Sequence, residues 1–146
     1  MYDLPMPDLA VYDLLDGPVG DLPASDRAML RAMRGWVHAL TAGADPGGAA
    51  VAAFAADPLA AAPFDRMMRA LDAGSAEPLT FQRPCHDRVD DVEAVMLALW
   101  RRARAGERGA VATSLALLVD AGSASTMATA MARVVELLSP APVPRG

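Results

Sequence analysis

The chain has 146 residues, with 53% hydrophobic side chains and a formal net charge of −5 at pH 7. A chain of this length can bury a core without disulfides or metals, and its one cysteine, Cys85, excludes an internal disulfide framework. The acidic balance excludes a general electrostatic attraction to nucleic acid or to an anionic membrane, so we expect neither as a partner.

Residues 1–22 are predicted to form an acidic arm. Six aspartates and no basic residue occupy residues 1–26, and four prolines limit regular structure to one short helix, about Asp8 to Leu15. The chain starts with acid and proline where a secretory signal would be basic and then apolar, so we expect a cytoplasmic protein. Acidic and apolar residues in alternation are typical of docking peptides, although packing of the arm on its own domain is the favoured interpretation. We expect residues 1–22 to be dispensable for folding.

The segment from Ser25 to Ala42 has the clearest helical pattern. Apolar residues recur at helical spacing, and Gly43 marks the end of the helix. The opposite face carries Arg27, Arg31, Arg34 and His38. We interpret this face as solvated, with the alternative that it receives an acidic partner such as the arm.

Two helices with proline at their start are predicted next. Asp45 before Pro46 and Asp57 before Pro58 each provide an N-cap followed by proline at the first helical position. The second of these helices runs, with a bend at Pro63, to a glycine stop at Gly74. Residues 75–89 lack a helical period and form the longest non-helical stretch in the body of the chain.

The second half is predicted to contain three more helices. Asp90 with Glu93 is a capping-box start, a further helix covers Ala110 to Ala121, and Ser123 or Ser125 caps the last helix. The proline-rich residues 140–146 are expected to form a flexible tail. The chain is therefore predicted to be all-α, a single-domain bundle of five or six helices over residues 23–139 with the acidic arm in front.

The sequence lacks the residues of the common catalytic sites. Only His38 and His86 are available as histidine bases, and no GxSxG, P-loop, GxGxxG, HExxH or CxxC motif occurs. We therefore predict no catalytic residues, no cofactor and no enzymatic activity.

The one concentration of candidate metal ligands lies just before residue 90. Cys85 and His86 could offer a thiolate and an imidazole to zinc, and a cysteine near a helix N-terminus can also become a reactive thiol. Adjacent side chains tend to diverge, however, and the carboxylates that follow also start a helix. The favoured interpretation is a structural loop without metal, and a metal or redox site at Cys85 and His86 is the alternative.

The second half resembles an uncharacterised group of small helical proteins from alphaproteobacteria. The resemblance rests on RPCH at residues 83–86, the helix start DDVE at 90–93, the turn AGE at 105–107 and the paired C-terminal helices. It covers about half of the chain. The resemblance implies a helical fold and a bacterial cytoplasmic setting, and it implies no activity.

Two classes of function remain open. The favoured one is a small non-enzymatic interaction or regulatory protein, whose partner is another protein or a second copy. The alternative is a protein that binds a small ligand or a metal, or senses redox state, through Cys85 and His86. The missing catalytic motifs favour the first class.

Overall fold

The computed structural model describes residues 11, 13–76, 78 and 80–139. The α-helices that lie wholly within these residues are α1 (Ala24–Thr41), α2 (Pro46–Ala53), α3 (Ala61–Gly74), α4 (Asp91–Arg104), α5 (Arg108–Leu115) and α6 (Ala121–Leu138). Short 3-10 helices at Val19–Asp21 and Pro58–Ala60 precede α1 and α3. The described residues contain no strand, and only isolated antiparallel bridges join Pro18 to Arg88 and Ser75 to Val119. The all-α prediction is confirmed.

Several helix boundaries follow from local capping signals. The carboxylate of Asp45 accepts the backbone N–H of Gly47 at 3.0 Å, and Pro46 is the first residue of α2. Gly43, which follows α1, has a φ of 76°, a left-handed conformation that glycine adopts without strain. At the start of α4, the side chain of Glu93 accepts the backbone N–H of Asp90 at 2.9 Å, as a capping box requires.

The boundary between the last two helices differs from the prediction. Helix α5 ends at Leu115, and Asp120, rather than a serine, is the N-cap of α6. The carboxylate of Asp120 accepts the backbone N–H of Ser123 at 2.9 Å and its hydroxyl at 3.0 Å. These hydrogen bonds hold the pKa of Asp120 below its ordinary value, because they favour the charged carboxylate. Gly122 therefore lies in the first turn of α6 instead of ending the preceding helix.

One hydrophobic core joins the six helices. Helix α3 packs along α6, and α1 packs against α2 and α4. Methionine and aromatic side chains fill the interior, among them Met33, Trp36, Phe64, Met67, Met68, Met96, Met127 and Met131. The indole N–H of Trp36 donates to Oδ1 of Asp65 at 2.8 Å, so this buried polar atom is satisfied.

The end of the acidic arm belongs to the same core. Leu14 and Leu22 are both buried in it. The arm also pairs its backbone with the loop before α4, because Asp16 donates to the carbonyl of Val89 at 2.9 Å and Val19 donates to that of Asp87 at 2.8 Å. We call residues 14–22 the strap. The strap therefore packs on the helical domain, and the division of the chain after residue 22 stays a prediction.

Some predictions lie outside the described residues. These are the tail at 140–146 and half of the short helix over Asp8 to Leu15, of which Val11, Asp13 and Leu14 are described as helical and Leu15 as a turn. No helix in the described ranges combines the length and the apolar character that a bilayer crossing requires.

Gly74, the last residue of α3, lies against the first turn of α6. A Cβ atom at this position would overlap the Cβ of Ser123 and would lie 3.0 Å from the Cβ of Val119. We predict that Gly74→Ala lowers the free energy of unfolding by about 1–3 kcal/mol, because the two helices must separate. Gly35→Ala inside α1 is the control. Its Cβ meets nothing within 4 Å, so it should raise stability by about 0.5–1 kcal/mol. Equal urea midpoints for the two variants would contradict this packing.

The sequence led us to expect that residues 1–22 are dispensable for folding. Because the strap is packed in the core, we now predict that residues 14–22 contribute to stability. Leu14→Ala removes a buried side chain and should lower the free energy of unfolding by about 2–4 kcal/mol. Asp13→Ala, a change at the exposed neighbouring residue, should stay within about 0.5 kcal/mol of the wild type. Thermal and urea unfolding measure both. A Leu14→Ala protein as stable as the wild type would show that the strap contributes nothing to the core.

Candidate functional site

A buried ion pair links α1 to the first turn of α4. Arg34 and Glu93 have side chains that are 1% and 0% exposed. The guanidinium donates from Nε to Oε2 of Glu93 at 2.8 Å and from Nη2 to Oε1 at 2.8 Å. This two-point geometry is the strongest form of the arginine–carboxylate interaction.

The remaining hydrogen bonds of the pair hold the loop itself. Arg34 donates from Nη1 to the carbonyl of His86 and from Nη2 to the carbonyl of Arg88, each at 2.7 Å. The carboxylate of Glu93 also accepts the backbone N–H of Gln82 at 2.9 Å. A buried charge pair is tolerated only when its polar atoms are satisfied in this way. The pair therefore attaches residues 82–93 to α1.

The predicted basic interaction face is consequently smaller than the sequence indicated. Arg31 and His38 are exposed, as expected of a solvated face, but Arg34 points into the interior. Arg27 is partly buried, and its Nη1 lies 3.4 Å from two carbonyl oxygens of the strap, so the arm meets this side chain through its backbone. The correction for Arg34 has a physical reason: a carboxylate and two carbonyls inside the protein replace the water that its charge would otherwise need.

A further charged contact connects α1 to α4. Asp26 is 1% exposed, and its Oδ2 accepts from Nε of Arg101 at 2.7 Å. Asp26 is the last of the six aspartates that precede the first arginine. Its charge is therefore paired within the fold, so Asp26 does not extend the acidic surface of the arm.

The loop with Cys85 and His86 has no metal-site geometry among the described residues. Cys85 is exposed, and His86 is partly buried with its carbonyl bonded to Arg34. Within the described ranges, no three side chains of histidine, cysteine, aspartate or glutamate come together as ligands. A metal or redox role of Cys85 and His86 therefore stays a prediction.

A groove between α4 and α5 was not anticipated from the sequence. It consists of two cavities of about 540 and 370 Å³, which share Val95 and Leu118. The smaller cavity extends from α4 to the end of α3 and the loop after it, where Leu71, Ser75, Pro78 and Thr80 line it. The lining from α4 comprises Asp91, Val92, Val95, Met96, Ala98, Leu99 and Arg102, and that from α5 and the turn after it includes Thr113, Ser114, Leu117 and Leu118. We call this concavity the α4–α5 groove.

The walls of the groove are apolar, and its two ends are oppositely charged. Leu117 and Leu118, which are adjacent in the lining, are 86% and 41% exposed. Asp91 and Arg102 are eleven positions apart on α4. In an α-helix this spacing corresponds to roughly 16 Å along the axis and only about 20° around it. The two charges therefore lie on one face of α4, with Val95 and Ala98 between them.

Two other cavities are less suited than the α4–α5 groove to bind a partner. A cavity of about 620 Å³ between α5 and α6 is lined mainly by alanines. A smaller one of about 180 Å³ is lined in part by Trp100, whose indole nitrogen has no hydrogen-bond partner among the described residues. That nitrogen is sealed from solvent in this structure, so the cavity does not present it to a ligand.

Comparisons with known proteins add no relative. A scan against protein-family models, a search of curated proteins and a search of solved structures each find no match to this chain. The resemblance to the alphaproteobacterial group remains a prediction, and the function has to be argued from the surfaces of the chain itself.

Removal of one member of the buried pair should be costly. We predict that Arg34→Met lowers the free energy of unfolding by about 3–5 kcal/mol, because it leaves the Glu93 carboxylate buried and without its counter-charge. Arg31→Met, on the exposed side of the same helix, should change stability by less than about 0.5 kcal/mol. Urea denaturation compares the two. Similar small effects in both variants would show that Arg34 is not held as described.

Proposed function

We propose that this chain is a non-enzymatic cytoplasmic protein that acts by binding a protein partner in the α4–α5 groove. The observation that carries the proposal is the exposure of Leu117 and Leu118 beside an apolar concavity. Leucine side chains left in water next to a groove are typical of an incomplete hydrophobic interface, because their burial against a partner is favourable.

Other exposed apolar residues do not form a comparable surface. Val51 and Leu59 are 63% and 76% exposed, but neither lines any of the cavities described above. Single apolar side chains scattered on a surface are normal and require no function. Leu117 and Leu118 differ because they adjoin Val95 and Leu99 in one continuous lining.

The lining supports binding rather than acid–base chemistry. The groove contains no histidine or cysteine among its described lining residues, and its charges stand at the two ends. Its lining includes the hydroxyls of Ser75, Thr80, Thr113 and Ser114, of which that of Thr113 donates to the carbonyl of Gly109. A helix of about three turns would span the distance from Asp91 to Arg102.

The cytoplasmic part of the proposal rests on the sequence and on one structural observation. The only cysteine of the chain, Cys85, is exposed and unpaired. A lone exposed thiol is more compatible with a reducing compartment than with an oxidising one.

The proposal is tested by affinity capture from an extract of the source organism with the wild type, Leu117→Asp and Leu59→Asp. We expect a partner that is depleted at least about tenfold by Leu117→Asp, because a charge at the centre of an apolar contact costs more than about 1.4 kcal/mol. Leu59→Asp introduces the same charge outside the groove and should not reduce recovery. Identical captured proteins for all three baits would refute a role for the groove.

A further inference from the structure

We propose that the partner of the α4–α5 groove is a second copy of this chain, with the two copies related by a two-fold axis and their α4 helices antiparallel. This inference rests on the proposed function, since it names the partner of the same groove. It adds a specific geometry, which follows from where the charges and the exposed leucines lie.

The charges of the groove are complementary to themselves. Asp91 stands at the N-terminal end of α4 and Arg102 near its C-terminal end, on the same face. When two such faces meet across a two-fold axis with the helices antiparallel, Asp91 of each copy lies opposite Arg102 of the other. One arrangement therefore forms two opposite-charge pairs, whereas a parallel arrangement would bring like charges together.

Both charged side chains reach the surface, although the side chain of Arg102 is only 20% exposed. Asp91 is exposed and has no side-chain hydrogen bond or ion pair with another described residue. Arg102 has one carboxylate neighbour, Glu107, at 3.9 Å, a separation at which an ion pair contributes little. By contrast, Arg101 on the adjacent position is bonded to Asp26 at 2.7 Å. Asp91 and Arg102, the two charges that face the groove, therefore make no close ion pair with another described residue.

The shape of the surface also suits a contact between identical copies. Leu117, 86% exposed, projects beside a groove whose floor includes Val95, Ala98 and Leu99. In a two-fold contact the same patch serves both copies, so each must carry both the projection and the concavity. Leu117 of each copy can then enter the groove of the other. There it excludes water from Val95, Ala98 and Leu99.

An unrelated partner would need an apolar segment with a basic group at one end and an acidic group at the other, in the right order. The chain itself already carries this arrangement on α4. The same chain also offers another occupant, its residues 1–10, because Val11 lines the larger cavity of the groove. These alternatives are distinguished by the experiments below.

The first experiment measures the mass of the full-length protein in solution over a range of concentrations, by sedimentation and light scattering. We expect a reversible dimer. Leu117→Asp should raise the dimer Kd at least about 30-fold, the effect of losing a hot-spot residue. Leu59→Asp should leave the Kd unchanged, and circular dichroism should show that both variants retain the helicity of the wild type.

The second experiment tests the antiparallel geometry with complementary charge reversals. Asp91→Arg alone and Arg102→Asp alone should each weaken self-association about tenfold, because each creates two like-charge contacts in the dimer. Mixed together, the two variants should form a heterodimer with an affinity close to that of the wild type, since both contacts then become opposite in sign. Native mass spectrometry with one variant isotopically labelled identifies the heterodimer.

Three results would overturn the proposal. The first is a wild-type chain that stays monomeric at its highest soluble concentration. The second is a mixture of the two charge variants that associates no better than either variant alone. The third is a monomer that becomes a dimer only after deletion of residues 1–10, which would assign the groove to the chain's own N-terminal segment. If the wild type is monomeric but Leu117→Asp still abolishes capture of another protein, the second copy is excluded and the proposed function stands.

Discussion

The buried pair of Arg34 and Glu93 is the contact on which the arrangement of the two halves of the chain depends. The two residues are 59 positions apart, and their charges are satisfied only by each other and by backbone groups of one loop. An ion pair in the interior contributes little net stability compared with well-packed apolar residues. Its consequence here is positional, because the pair holds four backbone groups, at residues 82, 86, 88 and 90, against α1.

The path of the strap follows from that placement. The guanidinium of Arg34 binds the carbonyls of His86 and Arg88, which leaves the backbone groups of Asp87 and Val89 to bond with the strap. The strap pairs with this backbone through hydrogen bonds of 2.8–2.9 Å. The burial of Leu14 and Leu22 then completes the core on that side. A contact between α1 and α4 thus determines where the chain preceding α1 can pack.

Local features of the fold could be predicted from the sequence, and long-range ones could not. The capping signals of Asp45 before Pro46 and of Asp90 with Glu93 act within three or four residues. The helix starts that they produce can therefore be predicted from a short stretch of sequence. The burial of Arg34 depends on a carboxylate in another helix. A usable signal existed, however, because Arg34 follows the buried Leu30 by four positions and precedes the buried Val37 by three. Glu93 precedes the buried Met96 and Leu97 by three and four positions. Opposite charges within two apolar stripes indicate a buried pair.

The sequence did not predict the groove, because the helical spacing of apolar residues continues beyond the point where α5 ends. Leu115 and Leu118 are three positions apart, so both would face the core in a continuous helix, but α5 ends at Leu115 and the turn that follows leaves Leu118 half exposed. The rotation of α4 about its own axis supplies the other wall. Glu93 must face α1, and residues two positions before it and nine after it then lie on the opposite side of the helix. Those residues are Asp91 and Arg102. The same buried carboxylate that holds the loop therefore determines that these two charges, with Val95 and Ala98 between them, face the groove.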